Sequence, residues 1–427
     1  MTVVLLFGLL MLFILLTVPI GIALGAASLM TLLFASKVPV MMLSQNAFAA
    51  LDSFPLMAIP FFILAGALMS YGGVSRRLLN LANTMVGFLT GGLAMVTTLA
   101  CMFFAAISGS GPATVSAIGS FMIPAMKEKN YDPGFAAAIS AAAGSIGVII
   151  PPSIPFVIYG VVTGVSIGTM FIAGFIPGII IGVGLMVASY IVAKREGYKG
   201  MERRATFGEF WKALREAGWS LLAPGIILGG IYGGVFTPTE AAVVAVVYAL
   251  IVGVFIHREI GLKEIYQALK ETVLINGATT FMIGLSMSFA NLLTMEQVPA
   301  AIGNALLGIS SNKFVILIII NLLLLFVGCF IDNISSCIIL APILLPIVTR
   351  LGVDPVHFGI FMTVNLAIGF VTPPYGANLF VATAVANVSM ERIVRYIWPF
   401  IISMIVSLLI ITYVPAVSLF LPGLFLK

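Results

Sequence analysis

The sequence predicts an all-α polytopic membrane protein: an inverted repeat with two re-entrant hairpins and two proline-broken helices. Three observations predict it. Of 427 residues, 61% are hydrophobic and only 8% are charged, against roughly 25% charged in a soluble domain. The chain divides into apolar runs near the roughly 20 residues that a membrane helix needs. Two of those runs, "IGVIIPPSI" (146–154) and "IGFVTPPYG" (368–376), each carry a Pro-Pro pair, 222 residues apart. Proline removes a backbone donor and breaks a helix, so the chain interrupts a buried helix twice in the same way.

The elements follow in order. No charge precedes Lys37, so residues 3–36 read as retained membrane structure and not as a cleaved signal peptide. As one helix they would run about 50 Å, and Pro19 sits mid-run, which leaves either one long tilted helix or two short spans. Further spans are expected at 55–72, 135–160, 169–193, 217–235, 239–256, 273–293, 358–380 and 398–422. Two polar islands, "ISGSGPAT" (107–114) and "CFIDNISS" (329–336), each separate two short apolar arms. Arms at 85–107 with 115–125, and at 314–330 with 337–349, fit re-entrant hairpins with tips near mid-membrane.

Charge sets the orientation. The longest polar stretch, Lys194–Glu216, is dense in Lys and Arg and reads as a cytoplasmic loop. The stretch 257–271, with its amphipathic "LKEIYQALKE", lies on the same side. Arg76, Arg77, Lys127 and Lys129 bracket the first hairpin, so it enters from the cytoplasm. Glu391, Arg392 and Arg395 mark a further cytoplasmic end. The net charge of +5 is thus a topology signal, and no nucleic-acid partner is implied.

Shifting the sequence by 222 aligns 124–152 with 346–374. Pro124, Asp132, Pro133, Ile146, Gly147, Pro151 and Pro152 meet identical residues, and five of these seven identities involve Pro or Gly. Apolar bias alone would not match proline to proline, so this is an internal repeat. Five spans separate the two hairpins. An odd number places the second hairpin on the opposite face, the inverted-topology design of secondary transporters.

A broken helix offers carbonyls to a cation at one end and N–H groups to an anion at the other. Asp332 is the one deep carboxylate, and an intramembrane acid is a functional candidate by default; the plainer alternative is a residue that caps its own hairpin arm. Ser108, Ser110, Asn333, Ser335 and Ser336 carry the same two readings. Thr372, Tyr375 and Asn378 border the second break as substrate candidates, against ordinary helix–helix hydrogen bonding. Asp132 and Asp354 precede prolines at equivalent turns and read as helix starts. Glu240, with Thr237 or Thr239, reads as a cap. Cys101, Cys329 and Cys337 lack metal-ligand spacing, and His257 and His357 stand alone, so all five read as structural. There is no Walker sequence, no HExxH, and no second deep carboxylate for an aspartyl protease. No enzymatic activity is expected.

The stretches "IPFFILAGALM" (59–69), "ISGSGPATVSAIG" (107–119), "GSIGVIIPPSIPFVIYG" (144–160), "GGVFTPTEAA" (233–242), "FIDNISSCIILAPILLPI" (330–347) and "GFVTPPYGANLF" (369–380) together resemble the large membrane subunit of tripartite ATP-independent periplasmic (TRAP) transporters, over essentially the whole chain. The resemblance implies a sodium-coupled importer of organic carboxylates in the bacterial inner membrane. It implies two partners, a small four-helix membrane subunit and a periplasmic substrate-binding protein. Because the chain begins directly at the large subunit, the small one is expected as a separate polypeptide.

Carried over, one sodium site would draw on Ser108, Ser110, Gly144, Gly147 and Pro151, the other on Asp332, Asn333, Gly369 and Thr372. Substrate would meet Ser153, Ser335, Ser336, Pro373, Tyr375 and Asn378. No cofactor is implied beyond sodium as coupling ion. The resemblance also implies a mobile transport domain from the repeats 85–168 and 314–390, carried on scaffold at 1–84, 169–313 and 391–427. Among family members the likeness runs to sialic-acid importers, with C4-dicarboxylates next. A stand-alone sodium–carboxylate symporter of similar fold, a channel and a non-transporting scaffold are the competing readings.

Overall fold

A computed structural model describes residues 2–36, 38–201, 203–310, 312–374 and 376–425, with the side chains of 303–307 and 309 outside the description. All regular elements among the described residues are helical. Six helical stretches are long and apolar enough to cross a membrane: Phe54–Tyr71, Ile167–Glu196, Pro238–Ile256, Leu262–Met295, Asn333–Arg350 and Met390–Tyr413.

The N-terminal run is two short helices, α1 (Thr2–Leu15) and α2 (Ile20–Phe34). The chain turns between them at Thr17, with φ 59°, and Pro19 opens α2. Then come α3 (Met41–Leu51), which was not anticipated, α4 (Ala58–Tyr71) and α5 (Val74–Val86). The first hairpin is α6 (Gly92–Ser108) and α7 (Gly111–Glu128). The first broken helix is α8 (Pro133–Gly144), a 3-10 turn at Ser145–Val148, and α9 (Ile154–Thr163). After it run α10 (Ile167–Ala173), α11 (Phe175–Glu196), α12 (Phe207–Tyr232) and α13 (Pro238–Leu250). A π-helical turn at Ile251–Ile256 extends α13. Next are α14 (Leu262–Met295) and α15 (Val298–Ile309). The second hairpin is α16 (Lys313–Gly328) and α17 (Asn333–Arg350), and the second broken helix is α18 (Pro355–Gly369) and α19 (Ala377–Ala386). The chain closes with α20 (Met390–Tyr413) and α21 (Ala416–Phe425).

Several expected boundaries move, each for a local reason. The basic stretch Lys194–Glu216 is not one loop: α11 runs through Glu196 and α12 starts at Phe207. Thr206 caps α12, accepting from Glu209 N–H while Glu209 accepts from Thr206 N–H, a capping box. Lys212 and Arg215 therefore ride on a helix. "LKEIYQALKE" is the first part of the 34-residue α14, which begins ahead of the span expected at 273–293. The span expected at 398–422 divides before Pro415, which opens the short α21. The hairpin arms hold 16 to 18 residues, about 24–27 Å each: α7 and α17 are longer than the arms expected at 115–125 and 337–349, and α6 and α16 are shorter than those expected at 85–107 and 314–330. Ser110 and Asp332 cap α7 and α17, so the helices run up to the polar tips that had been counted outside them. The 12-residue α15, at about 18 Å, is too short to cross a core of about 30 Å.

Element boundaries recur at the sequence offset. Gly111–Glu128 and Asn333–Arg350 start and end at matching positions, as do the starts of α8 and α18, and both Pro-Pro bonds are cis. Asp132 and Asp354 cap α8 and α18 through bonds from Gly134 N–H (2.6 Å) and Val356 N–H (2.8 Å). The two broken helices form the centre: every residue from Gly134 to Gly144 and from His357 to Gly369 is buried. Alanines at 136–138 and 141–143 let neighbours approach α8 closely, the usual device for packing helices in lipid.

The halves pack reciprocally. α9 lies against α17, and the matching α19 lies against α7. Such exchange, in which i meets j and j meets i, marks a two-fold relation. α20 measures their separation. Near its start Arg392 donates to Asp132 at 2.9 Å, at the base of the first hairpin, and at its end Tyr413 Oη donates to Phe314 O at 3.0 Å, at the base of the second. These bases are thus roughly 32 Å apart along the helix, close to the thickness of a bilayer core. The basic connector 197–206 sits at the first base, where Gly91 N–H donates to Tyr198 O and Met201 N–H to Gly87 O.

Candidate functional site

The first hairpin tip closes on itself and on the first break. Gly109, with φ +62°, turns the chain between α6 and α7, a conformation suited to glycine. Ser108 Oγ and Thr114 Oγ1 are 2.8 Å apart, and Thr114 Oγ1 donates to Ser110 O at 2.8 Å. Ser110 Oγ caps α7 by accepting from Ala113 N–H. The tip is seated in the break. Ile154 N–H donates to Gly109 O at 3.3 Å. A Cβ at Gly147 would stand 2.6 Å from Ser110 O and 2.5 Å from Thr114 Oγ1, and one at Gly144 would strike Val115. The absence of a side chain at 144 and 147 is what lets the unwound segment approach the tip. Across the break, Ser153 Oγ donates to Val148 O at 2.6 Å and accepts from Phe156 N–H, capping α9.

The second tip differs in chemistry. Asp332 caps α17, accepting from Ile334 N–H (2.9 Å) and Ser335 N–H (3.1 Å). Behind it lie Asn333, Ser335 and Ser336, all at most 1% exposed. Both polar atoms of the Asn333 amide and the hydroxyls of Ser335 and Ser336 have no hydrogen-bond partner among the described residues. Buried polar groups in native proteins are nearly always paired, and leaving one unpaired costs about 1–3 kcal/mol. Such atoms gathered at one helix start, with the Ser335 hydroxyl also beside the Asp332 carboxylate, make this tip a candidate place for a ligand, an ion or water. The second break packs against the first arm of its hairpin: a Cβ at Gly369 would strike the Gly328 backbone. Thr372, in the break, donates through Oγ1 to Ile368 O near the end of α18.

The two breaks are linked. Asn378, fully buried at the start of α19, donates through Nδ2 to Ala141 O (3.0 Å) and Ser145 Oγ (3.1 Å) in the first break.

The structure therefore brings together Ser108, Ser110, Gly144 and Gly147, with Gly109 at the turn beside Pro152 O. It places Pro151 and Pro373 in the cis bonds of the two breaks. It places Asp332 and Asn333 at one tip, but no described contact joins either to Thr372. Asp332 caps its arm, the plainer reading offered for it, and is half-buried at the tip. Ser153 is engaged by backbone on both sides of its break, and Asn378 makes the helix–helix hydrogen bonds offered as its plainer reading. Tyr375 lies outside the described residues. Thr114, Ser145 and Gly328 were missed. Thr114 stood inside the quoted tip motif, whereas Ser145 and Gly328 carry no signal apart from the fold. Thr237, and not Thr239, caps α13 together with Glu240. His357 Nε2 bonds Thr412 O and His257 Nδ1 bonds Gly72 O, structural positions for both. Among the described residues no group of three His, Cys, Asp or Glu could hold a metal ion.

Outside the tips, Asp132 is shaped by its surroundings. Partial burial opposes ionisation, but the Arg392 guanidinium and the Gly134 N–H outweigh it and hold the carboxyl below its usual range. Two concavities lie apart from the tips. One of about 800 Å³ is bordered by Lys129, Tyr131, Tyr198 and Arg203, and one of about 380 Å³ by Gly160, Thr169, Tyr232 and Phe236.

Residues 7–417 match the family described as "Tripartite ATP-independent periplasmic transporter, DctM component". Over 98% of the chain it is 52% identical to the isethionate TRAP transporter permease protein DctMQ of Oleidesulfovibrio alaskensis, of which it covers 66%. It is 38% identical to the C4-dicarboxylate TRAP transporter large permease protein DctM of Rhodobacter capsulatus, covering 99% of both chains. It is also 38% identical to the sialic acid TRAP transporter large permease protein SiaM of Vibrio cholerae, over 96% of this chain and 95% of that one. In fold it is similar to the YdaH transporter of Alcanivorax borkumensis, with a TM-score of 0.60 at 15% identity, covering 95% of this chain and 97% of that one. The chain belongs to the TRAP transporter family as a DctM component, the large membrane subunit, and is a multi-pass inner-membrane protein.

Proposed function

We propose that this DctM-family chain imports a small organic acid across the inner membrane, coupled to sodium, by an elevator movement of the two repeats against the remaining helices. The observation that carries the reading is the pair of capped hairpin tips at matching positions of two reciprocally packed halves, whose bases stand at opposite ends of α20. Read with the basic connectors at the first base, this supports an inverted repeat across the bilayer. α15 is too short to change the odd number of crossings between the hairpins.

In this reading each tip holds a cation. At the first, Ser108, Ser110 O and the carbonyls freed where α8 tightens toward Pro151 supply oxygens, with Gly144 and Gly147 admitting them. At the second, Asp332 supplies charge, and Asn333, Gly369 and Thr372 supply oxygens. The helix starts of α7, α9, α17 and α19 turn positive ends inward, which suits an anionic group without a buried Lys or Arg. Ser336, with its unpartnered hydroxyl, and Ser335 beside it are the strongest substrate candidates, and Pro373 stands in the second break, with Tyr375 two residues on in the sequence. Ser153 and Asn378, already engaged, support the site rather than fill it.

For substrate, identity to the isethionate permease exceeds identity to the sialic-acid one by 14 percentage points. This favours a small organic anion, isethionate first and a C4-dicarboxylate second, over sialic acid. Partners in the proposal are a small membrane subunit and a periplasmic binding protein. The DctMQ relative, half as long again as this chain, is consistent with a further membrane portion that here would be separate or fused.

Uptake into proteoliposomes tests this. The chain is reconstituted with a small subunit, and labelled isethionate is offered with and without an inward sodium gradient and a binding protein. The expected result is uptake that needs both. Uptake without the binding protein would make this a conventional symporter. Uptake indifferent to sodium would overturn the coupling.

A further inference from the structure

The side chain of Asn378 joins the two breaks, and its geometry says how. Its backbone N–H donates to Phe370 O at 3.0 Å, spanning the second break. Its side chain reaches the first. There the helix tightens, and Ser145 N–H turns to Ala142 O and Ala143 O. In a continuous α-helix that N–H would bond Ala141 O. The tightening leaves Ala141 O without it, and Asn378 Nδ2 takes the carbonyl at 3.0 Å and Ser145 Oγ at 3.1 Å. Only the amide nitrogen can donate to a carbonyl, so Oδ1 faces the other way. It is buried without a hydrogen-bond partner among the described residues. It lies beside the first residue of α7, where a Cβ on Gly111 would come within 3.0 Å of it. Asn378 thus touches the start of the first hairpin's second arm, the freed carbonyl of the first break, and the backbone of the second break. At the matching position of the first repeat stands Phe156, which cannot make such bonds, so the tie runs one way.

We propose that Asn378 is a positioning residue that makes cation binding at the first tip depend on the second repeat, and that it does not contact the substrate. This rests on the sodium-coupled reading. Removing the amide releases Ala141 O and Ser145, which lie on the segment that presents Gly144 and Gly147 to the Ser108–Thr114 tip. The first cation site then loses its fixed geometry, and the two sites no longer act together.

The test is a sodium titration of the purified full-length chain, read as the shift in thermal unfolding temperature with choline chloride as ionic-strength control. Substrate KM is measured at saturating sodium in proteoliposomes. For Asn378→Ala the half-saturating sodium concentration should rise about three- to tenfold, the effect of one lost hydrogen bond. The Hill coefficient for sodium should fall toward unity, with substrate KM unchanged. Ser145→Ala, a smaller change, should move sodium in the same direction by less, and it keeps the test available if Asn378→Ala does not fold. A raised substrate KM with normal sodium dependence would make Asn378 a substrate ligand and overturn the proposal. So would unchanged sodium and substrate constants in both variants. No sodium stabilisation of the unsubstituted chain would instead remove the sodium-coupled reading, and this proposal with it.

Discussion

The two hairpin tips occupy matching positions yet solve the same problem with different chemistry. The first is neutral and internally paired: Ser108, Thr114 and Ser110 O form a short hydrogen-bonded chain. The second carries Asp332 and, behind it, buried amide and hydroxyl atoms without partners. Ser336 stands at the position matching Thr114, so one hydroxyl is used by the fold and its counterpart is left over. A duplicated backbone keeps its breaks and caps, because those set the geometry. The side chains are then free to diverge, into one tip whose hydroxyls bond one another and one whose buried polar atoms are left unpartnered.

This comparison can be broken, most forcefully at the acid. Asp332→Ala should lower sodium-driven uptake about 100-fold, the scale of one lost charged interaction of about 3 kcal/mol, while the protein still folds. Ser110→Ala, which leaves the Ser110 carbonyl in place, should cost about tenfold or less. Equal losses in proteoliposome uptake would mean that the tips are chemically equivalent after all.

The glycines sharpen it next. Gly369→Ala should destabilise by about 1–3 kcal/mol, because its Cβ meets the Gly328 backbone, which cannot step aside. Gly147→Ala meets the Ser110 backbone at 2.6 Å, which cannot step aside either, so it should cost a similar amount, about 1–3 kcal/mol, and lose sodium response as well. Thermal unfolding with and without sodium separates the two.

The matched hydroxyls give a smaller, crossed effect. Thr114→Val should cost about 1 kcal/mol of stability by removing the hydroxyl that bonds Ser108 Oγ and Ser110 O, although Ser110 O keeps the Thr114 N–H. Ser336→Ala removes an unpartnered hydroxyl and should leave stability unchanged or improved, but reduce uptake. The reverse pattern would assign the ligand to the first tip.

The smallest contrast lies at the caps. Asp132→Ala and Asp354→Ala should each cost about 1 kcal/mol. Asp132 should cost somewhat more, since only it is paired with Arg392; a half-exposed pair adds about 0–1 kcal/mol. Its carboxyl is held below the ordinary range, so this contribution is present at neutral pH and fades only as pH falls through that lowered value. Loss of the difference near neutral pH would contradict the ion pair.

Much of this was legible in the residues because proline, glycine and aspartate leave marks that do not depend on packing. The paired Pro-Pro breaks, the Asp-Pro helix starts and the polar tips are all where the motifs put them. Helix ends were less legible. The start of α12 inside a basic stretch depended on a Thr206–Glu209 capping box that charge density masked. Short α3 and α15 carry too few apolar residues to stand out from connectors. Partners across the fold were not legible at all. Nothing near Asn378 in the chain says that Ala141 O lies against it, and nothing near Gly369 points to Gly328.

The measurement that most directly tests the two-fold account is the sidedness of the hairpin bases. Glu128 and Arg350 end α7 and α17 at matching positions, and both are exposed. In a chain with Cys101, Cys329 and Cys337 replaced, Glu128→Cys and Arg350→Cys are treated in intact cells with a maleimide that passes the outer membrane but not the inner. The account predicts labelling of position 350 in intact cells and of position 128 only after the inner membrane is opened. Labelling of both from the same side would contradict the inverted repeat and, with it, the assignment of opposite faces to the two tips.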